Sequence, residues 1–207
     1  MTAVAPMIFV VDDDLAVRKN LTRLLASAGY AVTAFAAPRE FLACEPYTDP
    51  CCLVLDVRMP GVTGLDLQET LAAAGRRMSV VFVTGHVDVP MSVKAMKNGA
   101  VDLLTKPVDE NDLLAAVQRA IGKDVQSRDE AARVAEIQER VKTLTPRETE
   151  VFALVATGML NKQIAADLRV CEKTVKVHRA RVMEKMRAGS VAELVRLADQ
   201  VGVIVPR

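Results

Sequence analysis

The sequence predicts an α/β protein: a five-stranded, parallel, doubly wound sheet followed by a smaller all-α domain. Short apolar runs alternate with stretches of helical periodicity across residues 7–121, as in parallel sheets covered by helices. Polar or turn-forming residues follow each run. After residue 144 the pattern changes to four short helices, which indicates a second domain. At 207 residues the chain can hold one large domain or two small ones, and the change of pattern favours two.

The elements of the first domain are separated by recognisable turn and capping residues. Gly29 ends the first helix, Pro60-Gly61 forms a turn after the third strand, and Asp88 caps a helix with Pro90 in its first turn. The predicted strands are 7–12, 31–35, 52–56, 79–84 and 102–105. The predicted helices are 15–28, 38–43, 64–74, one from Asp88 to about Gly99, and one that Asp109 opens.

A long helix is predicted between the two domains, from about Asn111 to Thr143, broken at most once, at Gly122. Its second half, 123–142, carries charges of both signs and only loosely periodic apolar residues. That composition favours an exposed linker helix over a core element. We therefore expect a first domain at 5–121, a linker helix at 122–143 and a second domain at 144–207.

The second domain begins with a capping box, in which Thr145 is the N-cap, Pro146 the first helical residue and Glu148 the third. Helices are predicted at 146–157, 162–168, 172–187 and 191–200. Residues 1–123 carry 12 Lys/Arg and 14 Asp/Glu, whereas 161–187 carry eight against three. A helix with one basic face suits the DNA major groove, although charge alone favours a solvated basic helix.

Five polar side chains stand at the ends of predicted strands: Asp12, Asp13, Asp56, Thr84 and Lys106. In a flavodoxin-like strand order, 2-1-3-4-5, ligands bind at the carboxyl ends of the strands where the order reverses. Clustered carboxylates resist burial unless a cation neutralises them, and oxygen ligands favour Mg²⁺. A carboxylate can also attack phosphorus, while an ammonium and a hydroxyl bind phosphoryl oxygens. The pattern indicates a phosphoryl site; the alternative is that Asp and Thr simply end strands as turn residues.

Residues 5–121 resemble a response-regulator receiver domain of the FixJ group. The matching segments are VVDDD at 10–14, LVLDVRMPGVTGLDL at 53–67 and VTGHVDVPMSVKAMKNGAVDLLTKP at 83–107. The resemblance implies that a histidine kinase phosphorylates Asp56. It further implies Mg²⁺ held by Asp13, Asp56 and the backbone carbonyl of Arg58, with Asp12 acting through water, and phosphate sensed by Thr84 and Lys106.

One position departs from the usual receiver pattern. Leu103 stands where many receivers carry Tyr or Phe, three residues before the lysine. We therefore expect switching to rely on Thr84 and on repacking of the surface formed by residues 88–105. The resemblance also implies a cis Lys106-Pro107 peptide bond.

Residues 144–186 resemble a LuxR-type helix-turn-helix. Their sequence is LTPRETEVFALVATGMLNKQIAADLRVCEKTVKVHRARVMEKM. A receiver domain combined with such a helix-turn-helix resembles the FixJ/NarL family of response regulators. The resemblance implies that residues 161–180 read the DNA sequence and that residues 172–187 form the recognition helix. Cys171 stands where Ser often caps this helix, at a cost of about 1 kcal/mol. Ala180 lacks a positive charge seen in some relatives, and His178 should pack inward. The expected DNA contacts are Lys162, Lys173, Thr174, Lys176, Val177, Arg179 and Arg181.

The resemblance predicts a two-component transcriptional regulator. Phosphorylation of Asp56 should promote dimerisation or release of the DNA-binding domain, because paired half-sites multiply a weak affinity. The expected partners are a sensor histidine kinase and promoter DNA, with RNA polymerase a further candidate. No enzymatic activity is expected beyond acceptance and slow loss of the phosphoryl group.

Two other functions remain open from the sequence. The first is a DNA-binding regulator with a non-responsive receiver, to which Leu103 is the only pointer. The second is an aspartyl-phosphate phosphatase, because Asp12-Asp13-Asp14 contains the D-x-D of the haloacid-dehalogenase class. The helix-turn-helix would then be unexplained.

Compartment and membrane contact are indicated by what the sequence lacks. No apolar run reaches the roughly 18–20 residues that span a bilayer, and no export signal is evident, so we expect a cytosolic protein without a membrane partner.

The cysteines, Cys44, Cys51, Cys52 and Cys171, lack C-x-x-C spacing. In a cytosol they are most simply small apolar residues.

Overall fold

The computed structural model describes residues 6–76, 78–86 and 88–203. The chain divides into two compact units, with the boundary between Arg128 and Asp129. Among the helices in these ranges, none combines the length and the apolar character that a membrane crossing requires.

The first unit contains a five-stranded sheet with the order β2-β1-β3-β4-β5, as predicted. Every pairing of neighbouring strands is parallel. The strands are β1 Met7–Val11, β2 Ala31–Phe35, β3 Cys51–Asp56, β4 Ser79–Thr84 and β5 Asp102–Thr105. The helices are α1 Leu15–Ser27, α2 Pro38–Leu42, α3 Gly64–Ala73, α4 Val89–Lys97 and α5 Glu110–Lys142, whose last residues belong to the second unit.

The central strands are buried on both faces because helices cover both sides of the sheet. Successive side chains point to opposite faces, so Phe9 and Leu53 pack into the layer that includes α2, α3 and α4. Ile8 and Val54 pack into the opposite layer, with α1 and α5. This double burial explains why these strands read as continuous apolar runs.

The strand order reverses between β1 and β3, and this reversal brings the ends of two distant segments together. Val11 pairs with Leu55 in the parallel register. The residues that follow them, Asp12 and Asp56, therefore stand side by side at the carboxyl edge of the sheet, where ligands bind in doubly wound folds.

The long helix α5 is continuous through Gly122, so the unbroken form of the predicted helix is confirmed. The expectation of an exposed helix, however, is wrong in two places. Asp124 is buried and accepts hydrogen bonds from the backbone N–H of Cys51 at 3.0 Å and from Arg128 Nε at 2.6 Å. Ile137 is buried in the core of the second unit.

The second unit is all-helical, as predicted, and includes the part of α5 from Asp129 onward. Its other helices are α6 Pro146–Ala156, α7 Asn161–Asp167, α8 Glu172–Lys185 and α9 Val191–Gln200. The capping box predicted at Thr145 is present. Helix α9 has the predicted bounds, whereas α6, α7 and α8 differ from the predicted bounds by one or two residues. The end of α8 is early because Met186 is its C-cap and Arg187 adopts a left-handed φ of 53°.

Candidate functional site

The predicted crevice is built around one ammonium group. Lys106 Nζ lies 2.7 Å from Asp12 Oδ2 and 2.6 Å from Asp56 Oδ2. The two carboxylates are almost fully buried, with 1% and 6% of their residue surfaces exposed. Residues separated by 94 and 50 positions in the chain are thus joined by charge-assisted hydrogen bonds.

The acidic side chains Asp12, Asp13 and Asp56 form a compact oxygen-donor set. Each offers an oxygen atom, and these atoms all lie within 4.8 Å of one another. An all-oxygen set suits a hard divalent cation such as Mg²⁺. Three carboxylates and the single Lys106 ammonium leave a formal charge of −2 among these four groups, which a divalent ion would offset.

Opposing effects set the pKa values of Asp12 and Lys106. Burial raises the pKa of Asp12, although hydrogen bonds from Lys106 and from the backbone of Asp14 work in the other direction. Burial alone would lower the pKa of Lys106, but its hydrogen bonds to Asp12 and Asp56 outweigh that effect and raise it. Lys106 therefore stays cationic at neutral pH.

Backbone groups also position the carboxylate of Asp56. The N–H of Arg58 donates to Asp56 Oδ1 at 3.1 Å, while Oδ2 accepts from Lys106. Both oxygens of Asp56, the last residue of β3, therefore accept a hydrogen bond that fixes their orientation.

Thr84 ends the strand next to β3, and its side chain is fully buried. Its Oγ1 donates to the carbonyl of His86 at 3.1 Å and accepts from the backbone N–H of the same residue at 3.3 Å. Asp12, Asp13, Asp56 and Lys106 are thus brought together, while the hydroxyl of Thr84 is engaged by its own loop.

Leu103 lies on β5 opposite Phe82 in the parallel register. It is half-buried and packs against the layer that contains α4. The Lys106-Pro107 peptide bond is cis, as the resemblance implied. Many receivers carry an aromatic ring at this position. Here the aliphatic side chain of Leu103 packs there instead, on the side of the sheet that α4 covers.

Gly64, the first residue of α3, is a site residue that sequence reasoning missed. Its N–H donates to the carbonyl of Val57 at 2.9 Å, and a Cβ at this position would lie 2.2 Å from the carbonyl oxygen of Asp56. Only glycine allows α3 to begin this close to Asp56. The sequence feature that could have indicated this role is a glycine at the first position of a helix, where residues of higher helix propensity are more common.

The basic helix α8 presents one face to solvent and buries the other. Its buried residues are Val175 and Val182, and Met186 follows them at the C-cap. Five of the predicted DNA contacts are exposed: Lys162, Lys173, Lys176, Val177 and Arg181. Thr174 and Arg179 are half-buried. Arg179 Nη1 donates to Asn161 Oδ1 at 2.7 Å, so part of its guanidinium joins α7 to α8. His178 is half-buried, in line with the expectation that it packs inward.

Cys171 is the N-cap of α8 and makes no side-chain capping hydrogen bond. We expect Cys171→Ser to raise the free energy of unfolding of the second unit by about 1 kcal/mol, because the serine oxygen can accept an orphan backbone N–H. Urea unfolding of the full chain measures the change. The control is Cys44→Ser, another exposed cysteine that caps no helix N-terminus, which should leave stability unchanged. Equal effects of the two substitutions would contradict the expectation.

Two family profiles match this chain, one on each unit. The response regulator receiver domain matches residues 8–118, and the LuxR family of bacterial regulatory proteins matches residues 142–198. The chain belongs to the response-regulator family. A receiver joined to a LuxR-type DNA-binding domain makes this response regulator a two-component transcriptional regulator, rather than a phosphatase or other conventional enzyme.

Named relatives and solved structures resemble this response regulator over nearly its full length. Nodulation protein W of Bradyrhizobium diazoefficiens is 47% identical, with 95% of this chain and 87% of the relative covered. Transcriptional regulatory protein FixJ of Azorhizobium caulinodans is 46% identical, with 95% and 93% covered. The structure of response regulator StyR has a TM-score of 0.78 at 42% identity and covers 95% of this chain and 100% of its own.

Proposed function

We propose that phosphorylation of Asp56 by a sensor histidine kinase controls the binding of this regulator to promoter DNA. The observation that carries the proposal is the position of the Asp56 carboxylate. It is buried beside two further carboxylates and contacts the ammonium of Lys106. A carboxylate in such a setting can act as a nucleophile towards phosphorus.

The transfer is a displacement at phosphorus. An oxygen of Asp56 forms a bond to the phosphorus of a phosphohistidine, the P–N bond breaks, and the released imidazole nitrogen takes up a proton. Bound Mg²⁺ would supply positive charge for the phosphoryl oxygens. Asp12, Asp13, Asp56 and the carbonyl of Arg58 are the groups that would hold the ion.

The residues that read the phosphoryl group are Thr84 and Lys106. The hydroxyl of Thr84 now donates to the carbonyl of His86, so bonding a phosphoryl oxygen would require it to leave that loop. That exchange would change the segment that leads into α4. The Leu103 side chain, packed on the same side of the sheet, would then repack with it.

The surface of α4 supports dimerisation on phosphorylation. Val89, Val93 and Met96 are exposed at a spacing of four and three residues, which places them on one face of the helix. An apolar stripe within the 88–105 segment is suited to a second copy of the chain, and a dimer would present two copies of α8 to paired DNA half-sites.

The exposed face of α8 is the proposed DNA contact. Lys173 and Arg181 would neutralise phosphates, while Lys176 and Val177 would meet base edges in the major groove. Lys162 on α7 would add a phosphate contact. The half-buried Arg179 would position the two helices through Asn161 as well as approach DNA.

Phosphate incorporation tests the chemistry. The full chain is incubated with Mg²⁺ and a small acyl-phosphate donor, and the added mass is located by mass spectrometry. Wild type and Asp49→Asn, which removes an exposed carboxylate outside the crevice, should gain one phosphoryl group. Asp56→Asn should gain none, and chelation of the metal should prevent incorporation in wild type and in Asp49→Asn. Undiminished incorporation into Asp56→Asn would refute the proposal.

The same samples test the relay. Hydrogen exchange of residues 88–105 should differ between phosphorylated and unphosphorylated wild type, because Thr84 and the α4 surface rearrange together. Identical exchange in the two states would refute a switch that works through this surface.

A further inference from the structure

Helix α8 is tied at its C-terminal end to residues that precede it in the chain. Lys185 Nζ donates to Glu148 Oε2 at 2.6 Å and to the backbone carbonyl of Thr143 at 2.9 Å. Arg140 Nη1 donates to the carbonyl of Met186 at 3.2 Å. We call these five residues the α8 anchor: they link the end of α8 to α5, to the turn after α5, and to the start of α6.

The carboxylate of the Glu148–Lys185 pair, at the centre of the α8 anchor, is shielded from water, whereas the Lys185 side chain is 33% exposed. Glu148 is only 2% exposed, and Oε2 also accepts the backbone N–H of Thr145 at 2.9 Å. One carboxylate oxygen therefore caps α6 and holds Lys185 at the same time. Hydrogen bonds from Lys185 and Thr145 lower the pKa of Glu148 to about 2, so the carboxylate is charged at neutral pH. A shielded, charge-assisted contact restricts geometry more than an exposed one.

Apolar packing fixes the same end of the helix. Ile137 on α5 lies in one buried cluster with Val182 and Met186. The last turns of α5 therefore belong to the core that supports α8, although their sequence reads as a charged linker.

The DNA-facing residues lie towards the other end of α8, where a small tilt has the largest effect. Lys176 precedes Met186 by ten residues, or about 15 Å along the helix axis. A tilt of about 10° about the C-terminal end would move Lys176 by roughly 2–3 Å, more than the distance range that a hydrogen bond tolerates. Base contacts from this face therefore depend on how the C-terminal end is held.

We propose that Glu148, acting through Lys185, is a positioning residue for DNA recognition by α8. The inference rests on the DNA-binding role of this unit and adds a buried residue that is not among the proposed DNA contacts. Neither the sequence motif nor charge assigns Glu148 such a role, since a capping box alone accounts for its place at the start of α6.

The sign of the expected effect separates positioning from electrostatics. Glu148→Gln keeps an acceptor for Thr145 but removes the ion pair with Lys185. Removing a negative charge from a DNA-binding domain should, by charge alone, strengthen its binding to DNA. A selective loss of affinity for a specific site is therefore the signature of a misplaced recognition helix.

The experiment compares two duplexes with full-length protein at fixed salt. One is selected by wild type from a random-sequence pool, and the other is a scrambled duplex of equal length. Glu148→Gln should reduce the ratio of the affinity for the selected duplex to that for the scrambled duplex about tenfold. A change of this size corresponds to the loss of one charge-assisted hydrogen bond. The matched control is Glu150→Gln, which removes an exposed carboxylate from the same helix and should leave the ratio unchanged. Binding is measured below the melting transition of each variant.

Each outcome has a defined meaning. Equal ratios for Glu148→Gln and Glu150→Gln would overturn the inference, as would an equal loss on both duplexes, which partial unfolding would produce. In a Lys185→Met background, Glu148→Gln should have no further effect because its partner is gone, and a further tenfold loss would overturn the assignment to this pair. If wild type itself prefers no duplex, the proposed function fails before the variants are compared.

Discussion

Lys106→Met is expected to lower the free energy of unfolding of the first unit by about 3 kcal/mol in metal-free buffer, because it leaves buried carboxylates without a cation. Lys106 contacts Asp12 and Asp56 at 2.7 and 2.6 Å, and neither carboxylate has more than a small exposed fraction. Addition of Mg²⁺ should recover much of the loss, since the metal would neutralise the same groups and binds only the folded site. Wild type should gain less from Mg²⁺ because its ammonium already offsets part of the charge.

The control for Lys106→Met is Lys94→Met, which breaks an exposed ion pair with Glu69. The two side chains of that pair are 51% and 49% exposed, so we expect a change below about 1 kcal/mol and no dependence on Mg²⁺. Urea unfolding, with the first unit followed by hydrogen exchange of β3, measures both variants. Equal losses in the two variants, or a Lys106→Met loss that Mg²⁺ leaves untouched, would contradict the account of the crevice.

Gly64→Ala is the second substitution with a large expected effect. The added Cβ would lie 2.2 Å from the carbonyl oxygen of Asp56, so either α3 or the loop after β3 must shift. We expect a loss of about 3 kcal/mol in stability, the upper end of the range for overpacking, because the obstructing atom is backbone. Phosphate incorporation at Asp56 should fall with it, since the obstructing carbonyl belongs to Asp56 itself.

Gly122→Ala is the matched control for Gly64→Ala. Gly122 lies inside α5, and among the described residues a Cβ there would have no atom within 4 Å beyond the adjacent backbone of the helix itself. Alanine should therefore stabilise the helix by about 0.5–1 kcal/mol. Wild-type stability and wild-type phosphate incorporation in Gly64→Ala would show that the close approach to Asp56 is unimportant.

The fold of the first unit was predictable because its signals are local. Buried parallel strands produce apolar runs, and polar residues such as Asp12 and Asp56 end them at the edge where ligands bind. The strand order then brings these residues together without further information. The sequence alone placed Lys106 at the same edge of the sheet. It did not show that the Lys106 ammonium contacts both Asp12 and Asp56.

The features that the sequence did not reveal depend on contacts between distant segments. Asp124 reads as an exposed residue of a charged helix, and only the folded chain pairs it with Arg128 and the N–H of Cys51. The sequence also left open whether α5 breaks at Gly122, because glycine has a low helix propensity but does not by itself end a helix. Glu148 was recognised as a cap, but its contact with Lys185 spans 37 positions.

DNA binding with and without phosphorylation tests the central claim most directly. Affinity for a duplex selected by the wild-type protein is measured at fixed salt for wild type and Asp56→Asn, each before and after treatment with an acyl-phosphate donor and Mg²⁺. The account predicts that treatment tightens binding by wild type and has no effect on Asp56→Asn. Equal tightening in both proteins, or none in a wild type that has demonstrably gained its phosphoryl group, would contradict it.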